Sequence, residues 1–196
     1  MKKSRFLLLA FLSVSLVFLS SCKEDPEEEV SPYIGDYVII KATLSEPLDL
    51  TTNEMGVLTV GAGTDITLMI QTALLGSVEC EAANSLIELR EDFSLYLSCT
   101  SSSTNIDGGT WEELSETVIV LSLNNTAVPS SPTGVELTVS GVTLIGSLLT
   151  GETTVPISKE MLAGVVAAMS GGQLTLDMEA TPPAVPITFT IELAKQ

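Results

Sequence analysis

From Tyr33 to the C-terminus the chain runs in short apolar stretches broken by Gly, Asn, Asp, Ser and Pro. Stretches of this length, rich in β-branched residues, predict strands. Tyr37–Leu44 (YVIIKATL) and Gly56–Val60 (GVLTV) are the first two. The period then changes. Ile66, Met69, Ile70, Ala73 and Leu74 recur at helical spacing, with Thr64 or Asp65 placed to cap the start and Gly76 to end it, so a short amphipathic helix is expected over Ile66–Leu75.

Ser85–Cys99 (SLIELREDFSLYLSC) predicts two strands about Glu91. A three-residue turn sets Leu89 opposite Phe93 and Ile87 opposite Leu95, which keeps the apolar residues on one face; a two-residue turn spoils that pattern. Ser101–Gly109 reads as a loop. Thr110–Leu114 and Glu116–Asn124 read as strands with a break at Ser115, and Gly134–Leu149 as a hairpin about Ser140–Gly141. A second helix is expected over Ser158–Met169, capped by Ser158 and followed by Gly171–Gly172. Gln173–Ala180 and Val185–Lys195 close the chain as two strands about Pro182–Pro183. The sum is one mainly β domain over residues 33–196. It is an antiparallel barrel or sandwich of about eight to ten strands with two short helices.

The first residues have a different pattern. Lys2, Lys3 and Arg5 precede an apolar run of 13 residues, Phe6–Phe18, too short for an ordinary transmembrane helix and of the length of a secretory signal. Leu19–Cys22 (LSSC) follows and resembles the bacterial lipobox. That resemblance implies cleavage before Cys22, a thioether-linked diacylglycerol on its sulfur and an acylated amino terminus. Several acyl chains hold a protein on a membrane far more firmly than one. Residues 1–21 are then a removed signal peptide, and 22–32 a lipidated cysteine with an acidic tether. Lys23–Glu29 (KEDPEEE) resembles the export signal of Bacteroidetes-type lipoproteins, with Lys23, Glu24 and Asp25 at the signal positions. It implies the outer face of the outer membrane; a plain acidic linker on a periplasm-facing lipoprotein is the alternative.

Charge and composition narrow the function classes. Loss of Lys2, Lys3 and Arg5 with the signal takes the formal charge from −17 to −20. Nucleic acid is therefore not an expected partner, since phosphate binding needs clustered Lys and Arg. The chain has no histidine, which removes Ser-His-Asp and Cys-His machinery and most zinc sites. No catalytic residue, cofactor or metal site is expected, and carboxylate-only chemistry is what remains for an enzyme.

Individual candidates read the same way. Cys80 and Cys99 are the cysteines left after lipidation, an even number in an oxidising compartment. A bridge between them would stabilise by roughly 3 kcal/mol on the loop-entropy account. In the strand register above, Cys99 faces Ala83, so a bridge needs a break around Ala82–Asn84; two separate buried thiols are the alternative. Asn105 and Asp107 lack calcium-loop spacing and read as a turn. Gly61–Gly63 is a turn without a dinucleotide signature. Glu91–Asp92 and Glu112–Glu113 are neighbours whose side chains diverge on a strand. Trp111 reads as core.

The central stretch resembles the lipocalin-like lipoproteins of Bacteroidetes. The resemblance is carried by Cys80, then LIELREDFSLYLSC, then GGTWEELSETVIVLSL, with YIGDYVI at Tyr33–Ile39 as a weaker opening strand. It implies a small antiparallel barrel of the calycin type, whose interior holds one small apolar ligand. Together these readings describe a non-enzymatic, lipid-anchored cell-surface protein that binds a small hydrophobic ligand or a partner protein. Two rivals stand: an accessory lipoprotein of an outer-membrane uptake complex without a ligand cavity, and a carboxylate-based hydrolase. The anchor is directly testable. Cells fed tritiated palmitate are expected to label the wild-type chain and not Cys22→Ala, and a soluble, unlabelled wild-type protein would overturn the lipobox reading.

Overall fold

The alternation of Gly35–Leu44 forms strand β1, with Tyr37, Ile39, Ala42 and Leu44 all buried. The computed structural model describes residues 30–75, 80–81, 84–128 and 133–196. The signal peptide 1–21, Cys22, Lys23, Glu24 and Asp25 lie outside the described residues, as do Gly76 and Ala82. Ser31–Gln196 is one unit with its own core.

Seven further strands complete a closed antiparallel barrel with β1: β4 (Ser85–Leu89), β5 (Ser94–Cys99), β6 (Asn105–Ser115), β7 (Val118–Leu123), β8 (Val135–Ile145), β9 (Leu148–Ser158) and β10 (Ala184–Lys195). From β4 to β10 each strand pairs with its sequence neighbour. β1 closes the ring, pairing with β10 over Tyr37–Leu44 and with β4 over Gly35–Tyr37. A hairpin of β2 (Leu48–Thr52) and β3 (Gly56–Val60), then helix α1 (Thr67–Leu75), is inserted between β1 and β4. Helix α2 (Lys159–Met169) follows β9 directly, capped by Ser158 Oγ accepting from Met161 N–H at 3.3 Å. The fold is thus mainly β with two helices, and a barrel rather than a sandwich.

Several local expectations are corrected. The segment expected as a loop contributes Asn105–Gly109 to β6, where Gly108 is the extra residue between the pairs Leu95–Gly109 and Tyr96–Asp107. Ser140–Gly141 is not a hairpin turn. Gly141 (φ +61) sits at a bulge in a continuous β8, and the turn falls at Gly146–Ser147, with Gly146 at φ +63. A glycine of positive φ serves a bulge or a turn equally well, so local sequence does not choose. Gln173–Ala180 forms no strand; only Leu176 bridges to Thr52, because β9 already fills the place beside β10.

The turn between β4 and β5 has three residues, but they are Glu91–Phe93, closed by Arg90 N–H to Ser94 O at 3.0 Å. Leu89 therefore pairs with Leu95 and Ile87 with Leu97, and Cys99 with Ser85. The two-residue displacement keeps the apolar face. Phe93 takes a left-handed φ of 63° and rests on Trp111, ring centroids 5.5 Å apart.

The barrel interior is filled. Tyr37, Leu95, Ile119, Leu137, Leu149 and Phe189 are almost wholly inaccessible, and the residues around them leave a cavity of about 20 Å³. Eight strands enclose a space that side chains just fill. The internal ligand chamber implied by the lipocalin resemblance is occupied by this core.

The two ends of the barrel differ. One carries the short turns β4–β5, β6–β7 and β8–β9 and receives the chain at Ser31. There Tyr33 is buried, Ser31 Oγ donates to Glu113 Oε2 at 2.6 Å, and Tyr37 Oη donates to Tyr33 O at 2.9 Å. The other end carries the long connections, both helices and the β2–β3 hairpin.

Thr153 Oγ1 is buried in the barrel wall with no hydrogen-bond partner among the described residues. An unpaired buried hydroxyl is costly, so Thr153→Val is expected to raise unfolding stability by about 1 kcal/mol in denaturant titration. Burial, reinforced by Tyr33, pushes the Tyr37 hydroxyl from 10.0 up to about 12. The folded chain then holds a proton the unfolded chain loses. This contribution is complete below pH 10.0 and declines as pH rises towards about 12. Tyr37→Phe is expected to flatten that alkaline loss in denaturant midpoints measured against pH.

Candidate functional site

Helix α1 is stitched to the end of β1. Ile66 N–H donates to Ala42 O at 2.9 Å, Leu44 N–H to Thr64 O at 3.0 Å, and Ala42 N–H to Thr67 Oγ1 at 2.8 Å. Gln71 Nε2 donates to Ile39 O at 2.9 Å. These bonds hold the helix across the barrel end, where Ile70 and Leu74 are buried and Leu74 borders the barrel core. Asp65 caps the start, its Oδ1 accepting from Thr67 N–H at 2.9 Å and Thr67 Oγ1 at 2.6 Å. Those two bonds, the hydroxyl's first, hold the Asp65 carboxyl below its usual range.

Helix α2 buries Leu162 and Val166 towards the core. Its C-terminus is turned back by Gly172 N–H to Ala167 O at 2.7 Å. The β2–β3 hairpin is fixed by the segment after α2: Asn53 N–H donates to Thr175 O at 3.0 Å and Asp177 N–H to Thr51 O at 2.8 Å. Glu54 accepts from Thr175 N–H at 2.8 Å and Thr175 Oγ1 at 2.7 Å, which holds its carboxyl below the usual range.

These three elements stand apart enough to leave a groove of about 730 Å³. Leu48, Leu50 and Val60 of the hairpin form one wall, Leu68 and Met69 of α1 another, and Met161, Val165 and Met169 of α2 the third. Leu68 is 72% exposed and Met169 57% exposed. The size suits a drug-sized or lipid-like molecule, and apolar walls with few polar groups are the ordinary make-up of such sites.

The disulfide candidates are joined. Cys80 and Cys99 are bridged, Cα to Cα 5.9 Å, which ties the chain after α1 to the end of β5. The bridge forms because β4 begins only at Ser85, leaving Cys80 outside the ladder. Asn105 and Asp107 lie on β6, where Asp107 Oδ1 accepts from Gly109 N–H at 3.0 Å. No cluster of three or more metal-ligating side chains is found among the described residues. Asp92 caps its own turn through Ser94 N–H at 3.0 Å. Glu112 and Glu113 border a second depression, of about 610 Å³, with Phe93, Thr110 and Ser122. Glu113 there is bonded to Ser31. Trp111 is core, its Nε1 donating to Arg90 O at 2.9 Å.

Sequence reading missed the groove. Its one local signal is Leu68, an apolar residue off the buried stripe of α1. The rest comes from elements far apart in the chain. No protein-family model matches this chain, and neither a curated protein nor a solved structure matches it.

Proposed function

We propose that this is a non-enzymatic, lipid-anchored protein of the outer cell surface, lipocalin-like in build, that binds a small hydrophobic ligand in the groove at the helical end of its barrel. The observation that carries this reading is the groove itself, about 730 Å³ with walls of Leu, Val and Met. The filled barrel interior moves the ligand from the chamber the lipocalin resemblance implies to the barrel end. The groove lies at the end away from Ser31, the first residue of the domain. The lipobox at Leu19–Cys22 and the acidic stretch after it support the anchor and its surface display.

A second reading, an accessory lipoprotein of an uptake complex, draws on the same filled interior. In that case an apolar segment of an outer-membrane protein covers Leu68 and Met169, the exposed residues of the groove.

Gly164 separates a binding defect from a folding defect. It borders the groove, and a Cβ added there meets nothing within 4 Å. Gly164→Leu fills the groove and improves helix propensity by about 0.8 kcal/mol. The purified protein is expected to bind the neutral fluorophore N-phenylnaphthylamine saturably. Gly164→Leu is expected to weaken that binding at least roughly ten-fold with an unchanged or higher melting temperature. Absence of saturable binding by the wild type would overturn the ligand reading, as would full binding by the variant.

A further inference from the structure

The polar atoms along the groove set the charge of its ligand, an inference that rests on the ligand-binding reading above. The side chains able to donate there are already engaged within the protein. Thr64 Oγ1 donates to Gly61 O at 2.7 Å, Thr67 Oγ1 to Asp65 Oδ1 at 2.6 Å, Gln71 Nε2 to Ile39 O at 2.9 Å, and Thr72 Oγ1 to Leu68 O at 2.8 Å. Among the described residues, no Lys or Arg borders the groove. Of the basic side chains of the described residues, Lys41 faces Glu192 at 3.8 Å and stands near enough to Asp65 to help hold its carboxyl low, though it does not border the groove; Arg90 pairs with Glu88 at 2.8 Å, Lys159 Nζ donates to Met178 O at 2.9 Å and Lys195 Nζ to Pro32 O at 3.5 Å. An anionic head between the walls of the groove would lose water and meet no cation among the described lining residues.

The charge present has the other sign. Among the described residues Asp65 is the one ionisable residue bordering the groove, and it stands at its exposed rim. The N-terminus of α1, the end of a helix that favours an anion, already has the Asp65 carboxylate on it. Both bonds from Thr67 go to Oδ1, and among the described residues no hydrogen-bond donor reaches Oδ2, although the charge of Lys41 acts on the carboxylate from outside the groove. The last turn of α2, which reaches the groove at Ala168 and Met169, carries no basic residue to offset its carbonyl end.

We propose that the groove selects amphiphiles with a hydrocarbon tail and an amine or ammonium head, the tail lying between α1 and α2 and the head at the Asp65 carboxylate. Exposed ion pairing is modest in size, so the selectivity is graded rather than absolute.

Three ligands of one tail length test this: decyltrimethylammonium, decanol and decanoate. Each is titrated calorimetrically into the purified protein, below its micelle concentration, at neutral pH and low salt. The ammonium is expected to bind about three-fold tighter than the alcohol and about ten-fold tighter than the carboxylate. Added salt is expected to narrow both gaps. Asp65→Asn keeps an oxygen to accept from Thr67 and is expected to hold the helix cap while closing the gap between ammonium and alcohol. Equal or tighter binding of decanoate would overturn the proposal, as would equal binding of the ammonium and the alcohol, or an ammonium preference that survives Asp65→Asn. If all three bind alike, only the charge selectivity falls. If none binds and N-phenylnaphthylamine does not bind either, the ligand reading falls as well.

Discussion

The sheet closes on itself, and that closure governs both the core and the place of the groove. β1 forms ladders on both its edges, with β10 along most of its length and with β4 over three residues. Each barrel strand then has two neighbours, and beyond Tyr37 the β4-facing side of β1 is bonded by Thr64, Ile66 and Thr67 at the start of α1. Closure at eight strands also sets the internal width. Leu, Ile, Val and Tyr side chains pack it, and the cavity they line there holds only about 20 Å³. A binding site of useful size must therefore lie at an end or on the outer wall.

The ends are made unlike by the lengths of the connections. Short turns leave little backbone at one end, and Tyr33 and Tyr37 seal it through a chain of hydrogen bonds. Long connections at the other end fold into a hairpin and two helices. Each is bonded at a different place: α1 to the end of β1, α2 to the end of β9, and the hairpin to the residues after α2. Between these three attachments their apolar faces leave the groove. The Cys80–Cys99 bridge holds the chain leaving α1 to the end of β5, which limits how far that wall can move.

Charge gives the groove its character. A chain with a formal charge of −17 has few cations to place, and the described ones lie against carboxylates or carbonyls and do not border the groove, Lys41 approaching only its rim at Asp65. Hydroxyl and amide groups near it are drawn into backbone bonds that fix α1 in position. Apolar walls with a single carboxylate at the rim are what remains. The same bonds thus build the site and restrict its chemistry.

The strand alternation, the helical spacing of Met69, Ile70 and Leu74, the Ser158 cap and the burial of Trp111 were all legible in the sequence, since each rests on contacts within a few residues or on simple partition from water. The lipobox resemblance at Leu19–Cys22 is likewise local. Where a glycine of positive φ could serve either a bulge or a turn, as at Gly141, local preference left the outcome open, and pairing with β7 and β9 decided it. The two-residue displacement between β4 and β5 was invisible to alternation, because a shift of two returns every side chain to its own face. Neither β2 nor the groove was anticipated. A mainly β, acidic domain with two helices and no histidine follows from local pattern and composition. That the barrel is full and that Leu50, Leu68 and Met169 share one groove follows from long-range packing, because their meeting depends on how a hairpin and two helices cover the same end of a closed sheet.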